Sequence, residues 1–117
     1  MKRRLVVGAA AALVAAAFSV AATAATPVLV GTVGPGFTIT LTQNGKKVAS
    51  LKAGKYIFKI SDKSNIHDFH LTGPGVNKTT STPGTGSATW TLTLKKGTYK
   101  FVCDPHATTM KGSFKVI

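Results

Sequence analysis

After residue 25 the chain alternates apolar and polar side chains with a period of two. Phe37, Ile39 and Leu41 interleave with Thr38, Thr40 and Thr42, and Trp90, Leu92 and Leu94 with Thr89, Thr91 and Thr93. Tyr56, Phe58 and Ile60 fall on one face of the stretch Lys55 to Ser61. Such alternation predicts strands with one buried face, because successive side chains of a strand point to opposite sides. Val28 to Val33, Lys46 to Leu51, Ile66 to Thr72, Gly97 to Val102 and Gly112 to Ile117 complete the set. Turn signals separate them: Gly34-Pro35-Gly36, Asn44-Gly45, Lys52-Ala53-Gly54, Gly73-Pro74-Gly75 and Lys95-Lys96-Gly97. Asn-Gly is the strongest short hairpin signal, since both residues tolerate positive φ. Val76 to Ser87 is mainly Thr, Ser, Gly, Pro and Lys with little to bury, which predicts a surface loop. No stretch after residue 25 has a helical period. Seven to eight short strands with turns between them predict one all-β domain, a sandwich or barrel.

The first 25 residues are of another kind. Met1-Lys2-Arg3-Arg4 is basic, Leu5 to Val20 is apolar and dominated by alanine, and Ala22-Thr23-Ala24-Ala25 offers small residues for cleavage. This is the pattern of a secretory signal peptide cut after Ala24 or Ala25, leaving a domain over 26–117. A retained membrane anchor is the competing reading, because the apolar run nearly reaches spanning length. The expected location is therefore periplasmic or extracellular.

Export changes the meaning of the cysteine count. In an oxidising compartment cysteines are normally paired, yet Cys103 stands alone. It is an idle buried thiol, an intermolecular bridge or a ligand. Its surroundings favour the last. His106 and Met110 follow within the short turn Cys103-Asp104-Pro105-His106-Ala107-Thr108-Thr109-Met110, flanked by strands on both sides. A third strong ligand has two candidates, His67 and His70. Strand alternation puts His67 on the face of Phe69 and Leu71, hence inward, and His70 outward with Asp68. That favours His67. Thiolate, two imidazoles and a thioether suit a single copper ion. Zinc also takes one Cys and two His with water, but a thioether is a poor zinc ligand, and Met110 turns the choice to copper.

Removing Lys2, Arg3 and Arg4 from the 15 basic residues leaves 12 against Asp62, Asp68 and Asp104, a net charge of about +9. A field of that sign attracts acidic redox-partner proteins or an anionic membrane surface. Nucleic acid is not expected, since the lysines are scattered and the chain is exported. The lysines also protect strand edges and keep the chain soluble.

The two stretches Ile66-His67-Asp68-Phe69-His70 and Cys103-Asp104-Pro105-His106–x3–Met110-Lys111-Gly112, each set among strands, resemble the cupredoxins (type 1 blue copper proteins), in particular the plastocyanin- and amicyanin-like members. The resemblance implies an eight-stranded Greek-key β-sandwich. It makes His67, Cys103 and His106 the equatorial ligands of one type 1 copper and Met110 the axial one, and implies that the protein shuttles single electrons. Where the family commonly has Asn after the first His, this chain has Asp68, and Asp104 follows the cysteine. Two such carboxylates near one site should repel, so one is expected to be protonated or paired with a lysine. The sequence offers no nucleophile–base pair, no small-molecule substrate site and no second His cluster. A monomeric carrier that is not an enzyme is expected. The alternative is a periplasmic or extracellular protein that stores or delivers copper, though such proteins often carry Met- or His-rich tracts and this chain has two methionines.

Overall fold

In the computed structural model, which describes residues 24–117 together with Gly8, Ala12 and Ala15, the alternating stretches become ten strands in two five-stranded sheets. They are β1 (Val28–Val33), β2 (Ile39–Gln43), β3 (Lys46–Lys47), β4 (Ser50–Leu51), β5 (Gly54–Asp62), β6 (His70–Gly73), β7 (Val76–Thr79), β8 (Gly86–Leu94), β9 (Gly97–Val102) and β10 (Lys111–Val116). The expected leader lies, apart from its last residues and three isolated positions, outside the described residues. Sheet I runs β3-β2-β1-β5-β8 and sheet II runs β4-β10-β9-β6-β7. The β1–β5 and β4–β10 pairs are parallel and the others antiparallel. The expected all-β sandwich is the observed architecture.

Period-two patterning sets the core. Leu29, Val33, Leu41, Phe58 and Ile60 of sheet I face Leu71, Tyr99, Phe101 and Phe114 of sheet II, and all are buried. Phe69 stacks on Phe101 at 5.6 Å between ring centroids and Tyr99 on Phe114 at 5.3 Å. Each such side chain contributes about 1.5–3 kcal/mol by leaving water. The Tyr99 hydroxyl avoids an unpaired burial by donating to Pro74 O at 3.0 Å and accepting from Lys95 N at 2.9 Å.

Four expectations need correction. Ile66 to Thr72 is strand only from His70 onward. Asp68, expected to face outward with His70, is buried like His67 and Phe69 on either side of it, so alternation does not hold ahead of β6. Lys46 to Leu51 is not one strand. After the Asn44-Gly45 turn, with φ of 50° and 78°, β3 pairs with β2, and the chain then crosses at Val48 so that β4 joins β10 in the other sheet. Nor is Val76 to Ser87 all loop, because Val76–Thr79 closes a hairpin on β6 and β8 already begins at Gly86. Backbone pairing suffices there although almost nothing is buried. Phe37, patterned as a core residue, is 65% exposed; the Gly34-Pro35-Gly36 break delays β2 until Ile39, so the alternation carries no facing across it.

Sheet II is packed closely where β9 meets β10. Gly112 lies opposite Phe101, and a Cβ at position 112 would stand 2.2 Å from the tip of the Phe101 ring. Only glycine lets that ring lie flat on the neighbouring strand. Gly112→Ala should lower stability by about 1–3 kcal/mol through overpacking, measured as a fall in urea midpoint at unchanged slope. An unchanged midpoint would show that the ring has room to shift.

Candidate metal centre

The turn between β9 and β10 has its own hydrogen-bond frame. Cys103 N donates to Met110 O at 3.0 Å and closes the ends of the turn. Within it His106 N donates to Cys103 O at 3.0 Å, Thr109 N to His106 O at 3.1 Å and Met110 N to His106 O at 2.9 Å. Asp104–His106 forms a single 3₁₀ turn with Pro105 inside it, where the fixed φ of proline suits the first positions. The side chains of Cys103 and His106 are thereby aimed together by backbone bonds alone.

His67 arrives from the other side, just before β6, and is fully buried. Its Nδ1 lies 3.1 Å from His106 Nδ1, and Cys103 Sγ lies 3.6 Å from each of those nitrogens. The three form the one group of possible metal-binding side chains of this kind among the described residues. A point equidistant from the three atoms is about 2.0 Å from each, close to metal–imidazole and metal–thiolate bond lengths. The donor set therefore fits a metal ion in size as well as in chemistry, and thiolate with imidazoles fits a single type 1 copper. Burial pushes the Cys103 thiol pKa up, so the thiolate state needs a metal to hold it. Met110, the expected axial residue, is 1% exposed at the end of the same turn.

His70 does not join the cluster. As alternation predicted, it faces outward from β6, and its Nδ1 sits 2.9 Å from both carboxylate oxygens of Asp104 while Nε2 is 2.6 Å from Asn77 Oδ1. The hydrogen bond to Asp104 raises the His70 pKa above its ordinary value. This corrects the expected pairing of the two carboxylates: the counter-cation is His70, not a lysine. Asp68 is buried and accepts from Asp104 N at 2.6 Å and from Thr79 Oγ1 at 3.4 Å. It thus ties the segment carrying His67 to the turn carrying Cys103. Desolvation raises the Asp68 pKa, whereas hydrogen bonds from Asp68 and His70 keep Asp104 below the usual carboxylate range. Of the two carboxylates, Asp68 is the one that takes up a proton first as pH falls.

Phe37 was missed as a site residue. Its ring stands edge-on to His67 at 5.2 Å and to His106 at 5.0 Å, and the two imidazoles are 4.8 Å apart. One exposed phenyl thus covers both imidazoles. The available signal was its position directly after Gly34-Pro35-Gly36, where a strand face is no longer defined. Packing orients His67, since its Nε2 is buried without a hydrogen-bond partner.

The His70–Asp104 pair carries a defined pH dependence. His70 is raised above 6.5, so its contribution is complete below that value and is lost as pH rises through the folded-state pKa. Asp104 is lowered below 3.8, so its contribution exists above that value and is lost as pH falls through the folded-state pKa. The pair stabilises most from roughly pH 4 to 6.5, and because it is partly exposed it is worth no more than about 0.2–1 kcal/mol. His70→Gln should lower the thermal midpoint of the metal-free protein at pH 5.5 and leave it nearly unchanged at pH 9. An equal loss at both values would assign His70 a packing role instead.

Compared with known proteins, residues 32–117 match the family described as copper binding proteins, plastocyanin/azurin family. Among solved structures the chain is similar to the copper protein rusticyanin, at 19% identity and a TM-score of 0.60 over 81% of this chain and 80% of that one. It is similar to reduced rusticyanin at 20% identity and 0.59 over 81% of both chains. For rusticyanin from Thiobacillus ferrooxidans the values are 23% and 0.52 over 81% of this chain and 79% of that one. These likenesses show a shared fold. No curated protein sequence matches. The family match covers most of the chain and includes the whole His67–Cys103–His106 cluster: the chain belongs to the plastocyanin/azurin family of copper-binding proteins.

Proposed function

We propose that this chain is a small exported blue copper protein that carries single electrons between redox partners. His67, Cys103 and His106 are its strong ligands and Met110 its weak axial one. The observation that carries the reading is the triangle of Cys103 Sγ and two Nδ1 atoms, 3.6, 3.6 and 3.1 Å on its sides. Copper, when bound, supplies the one-electron Cu(I)/Cu(II) couple. The chain's part is to keep the donors still. The backbone frame of 103–110 fixes Cys103 and His106, Asp68 locks the His67 segment to that frame, and Phe37 with the buried core walls off the imidazoles. Ligands held this way need little rearrangement between oxidation states. His106, only partly buried, is the side chain through which electrons leave, beside exposed Pro105 and Ala107.

Plastocyanin/azurin-type proteins are electron carriers and generally not enzymes, which agrees with the lack of a nucleophile–base pair in this sequence. A carrier is favoured over a storage or delivery protein because Cys103 is fully buried and the chain, with two methionines and three histidines, has no Met- or His-rich tract from which copper could be handed on. The mature protein is exported, with cleavage after Ala24 or Ala25, works as a monomer and meets acidic partners.

Titration of the mature protein with Cu(II) should give an intense blue absorption that saturates at one copper per chain and is absent from Cys103→Ser. Weak d–d bands only, or no colour, would overturn the type 1 assignment. Met110→Leu should keep the intense band and shift the reduction potential. An unchanged potential would remove Met110 from the ligand set.

A further inference from the structure

The outer face of sheet II differs from that of sheet I in one respect. Lys100, Val102 and Ser113 of β9 and β10 share an outward face with Lys111, and Lys47 of β3 reaches the same place, lining a groove of about 460 Å³. Around the sheet edge it continues into a second hollow of about 260 Å³ that shares Lys47, Lys111 and Gly112 and is floored by partly exposed Ile39 over the buried side chains of Leu41 and Phe101. The result is one trough with a lysine rim and an apolar floor.

The rim is electrostatically uncompensated. Lys100 and Lys111 occupy diagonal positions on neighbouring strands, since Lys100 pairs with Ser113 and Lys111 with Val102, and side chains of that length are within reach of one another there. The chain has three carboxylates, and none serves this rim: Asp62 and Asp68 are buried, and Asp104 makes the one ion pair among the described residues, with His70. Three exposed cations held together over apolar surface, with every acid elsewhere, complement an anionic ligand that has apolar groups to bury.

We propose that this trough docks an acidic, extended segment of the partner protein, with carboxylates on Lys47, Lys100 and Lys111 and an apolar side chain against Ile39 in the second hollow. The inference rests on the electron-carrier reading and names the partner's chemistry. Its position serves that reading, because Val102 immediately precedes Cys103 and Lys111 immediately follows Met110. A partner seated here touches both chain segments that enter and leave the metal turn. A peptide strand fits better than a membrane: its alternating side chains can address rim and floor separately, whereas an anionic bilayer would answer equally to Lys55 and Lys59, which lie on the outer face of sheet I.

The probe is a fluorescein-labelled decapeptide of alternating Glu and Leu, added to the purified, ascorbate-reduced protein. It is followed by anisotropy and by amide chemical shifts. Saturable binding is expected, with shifts concentrated at Lys47, Val102, Lys111 and Gly112 and lost at high salt. The triple variant Lys47→Gln/Lys100→Gln/Lys111→Gln should weaken binding by about tenfold or more, and a Gln-Leu peptide or a Glu-Ser peptide should bind more weakly than Glu-Leu. Lys55→Gln/Lys59→Gln, which removes charge from the opposite face, should bind as the unaltered protein does. Equal weakening in both variants, shifts spread over all lysines, or binding of phosphatidylserine vesicles in preference to the peptide would overturn the proposal. The blue absorption is recorded on a portion of the same preparation before ascorbate is added, so a failed copper site and a failed docking groove give different results.

Discussion

The structure depends on the short hydrogen bond from Asp104 N to Asp68 Oδ1, 2.6 Å long. It joins the two segments that supply the metal donors, one entering β6 and the other leaving β9. Each segment is rigid by itself: His67 is buried in the core and the 103–110 turn is closed by its own backbone bonds. The β6–β9 ladder sets them side by side as far as the His70–Val102 pair. Asp68 extends that tie past the end of the ladder, sitting beside His67 and holding the residue beside Cys103. A buried carboxylate is costly without partners. Here the Asp104 amide and the Thr79 hydroxyl satisfy it, and the neighbouring Asp104 charge is drawn away toward His70.

This arrangement explains how two acids can flank a site meant for a cation without tearing it apart. The buried member is held by hydrogen bonds from Asp104 N and Thr79, and the other member faces the histidine. His70 in turn is held by Asn77 of the β7 edge, so the hairpin β6–β7 is part of the site's support although it carries no ligand. The strand read from sequence as loop thus has a function in positioning. Its burial is slight because its work is done through hydrogen bonds.

Much of this was legible in the chain. Period-two alternation located most of the strands and placed His70 outward, because one buried face dictates every second residue. His67 is inward as expected, but it lies ahead of β6 among three consecutive buried residues, so strand alternation is not the reason. The lone Cys103 with His106 and Met110 in one turn pointed to the metal chemistry. What remained hidden involves contacts between segments distant in sequence. Lys46 to Leu51 carries no mark that it changes sheets at Val48. Phe37 follows a Gly-Pro-Gly break, after which alternation no longer says which side is inside. The Asp104–His70 pair joins residues 34 positions apart, and nothing local announces it. Family resemblance agrees with the meeting of His67, Cys103 and His106 and is silent on these, since Asp68 stands where the family commonly has Asn.

The distribution of charge follows from the same economy of acids. With three carboxylates in the chain, two are committed to the neighbourhood of the metal turn and the third, Asp62, is buried at the end of β5. None remains to neutralise the lysines. A surface of this kind cannot satisfy itself, so long-range attraction for negative partners is built into it, and the strength of that attraction must fall with salt. Shape then decides where the attraction is used. Lys55 and Lys59 stand on the outer face of sheet I, where they have charge but line neither hollow; Lys47, Lys100 and Lys111 surround a hollow with an apolar floor. Charge acts over the molecule as a whole, and at the hollow three of the cations converge beside apolar side chains.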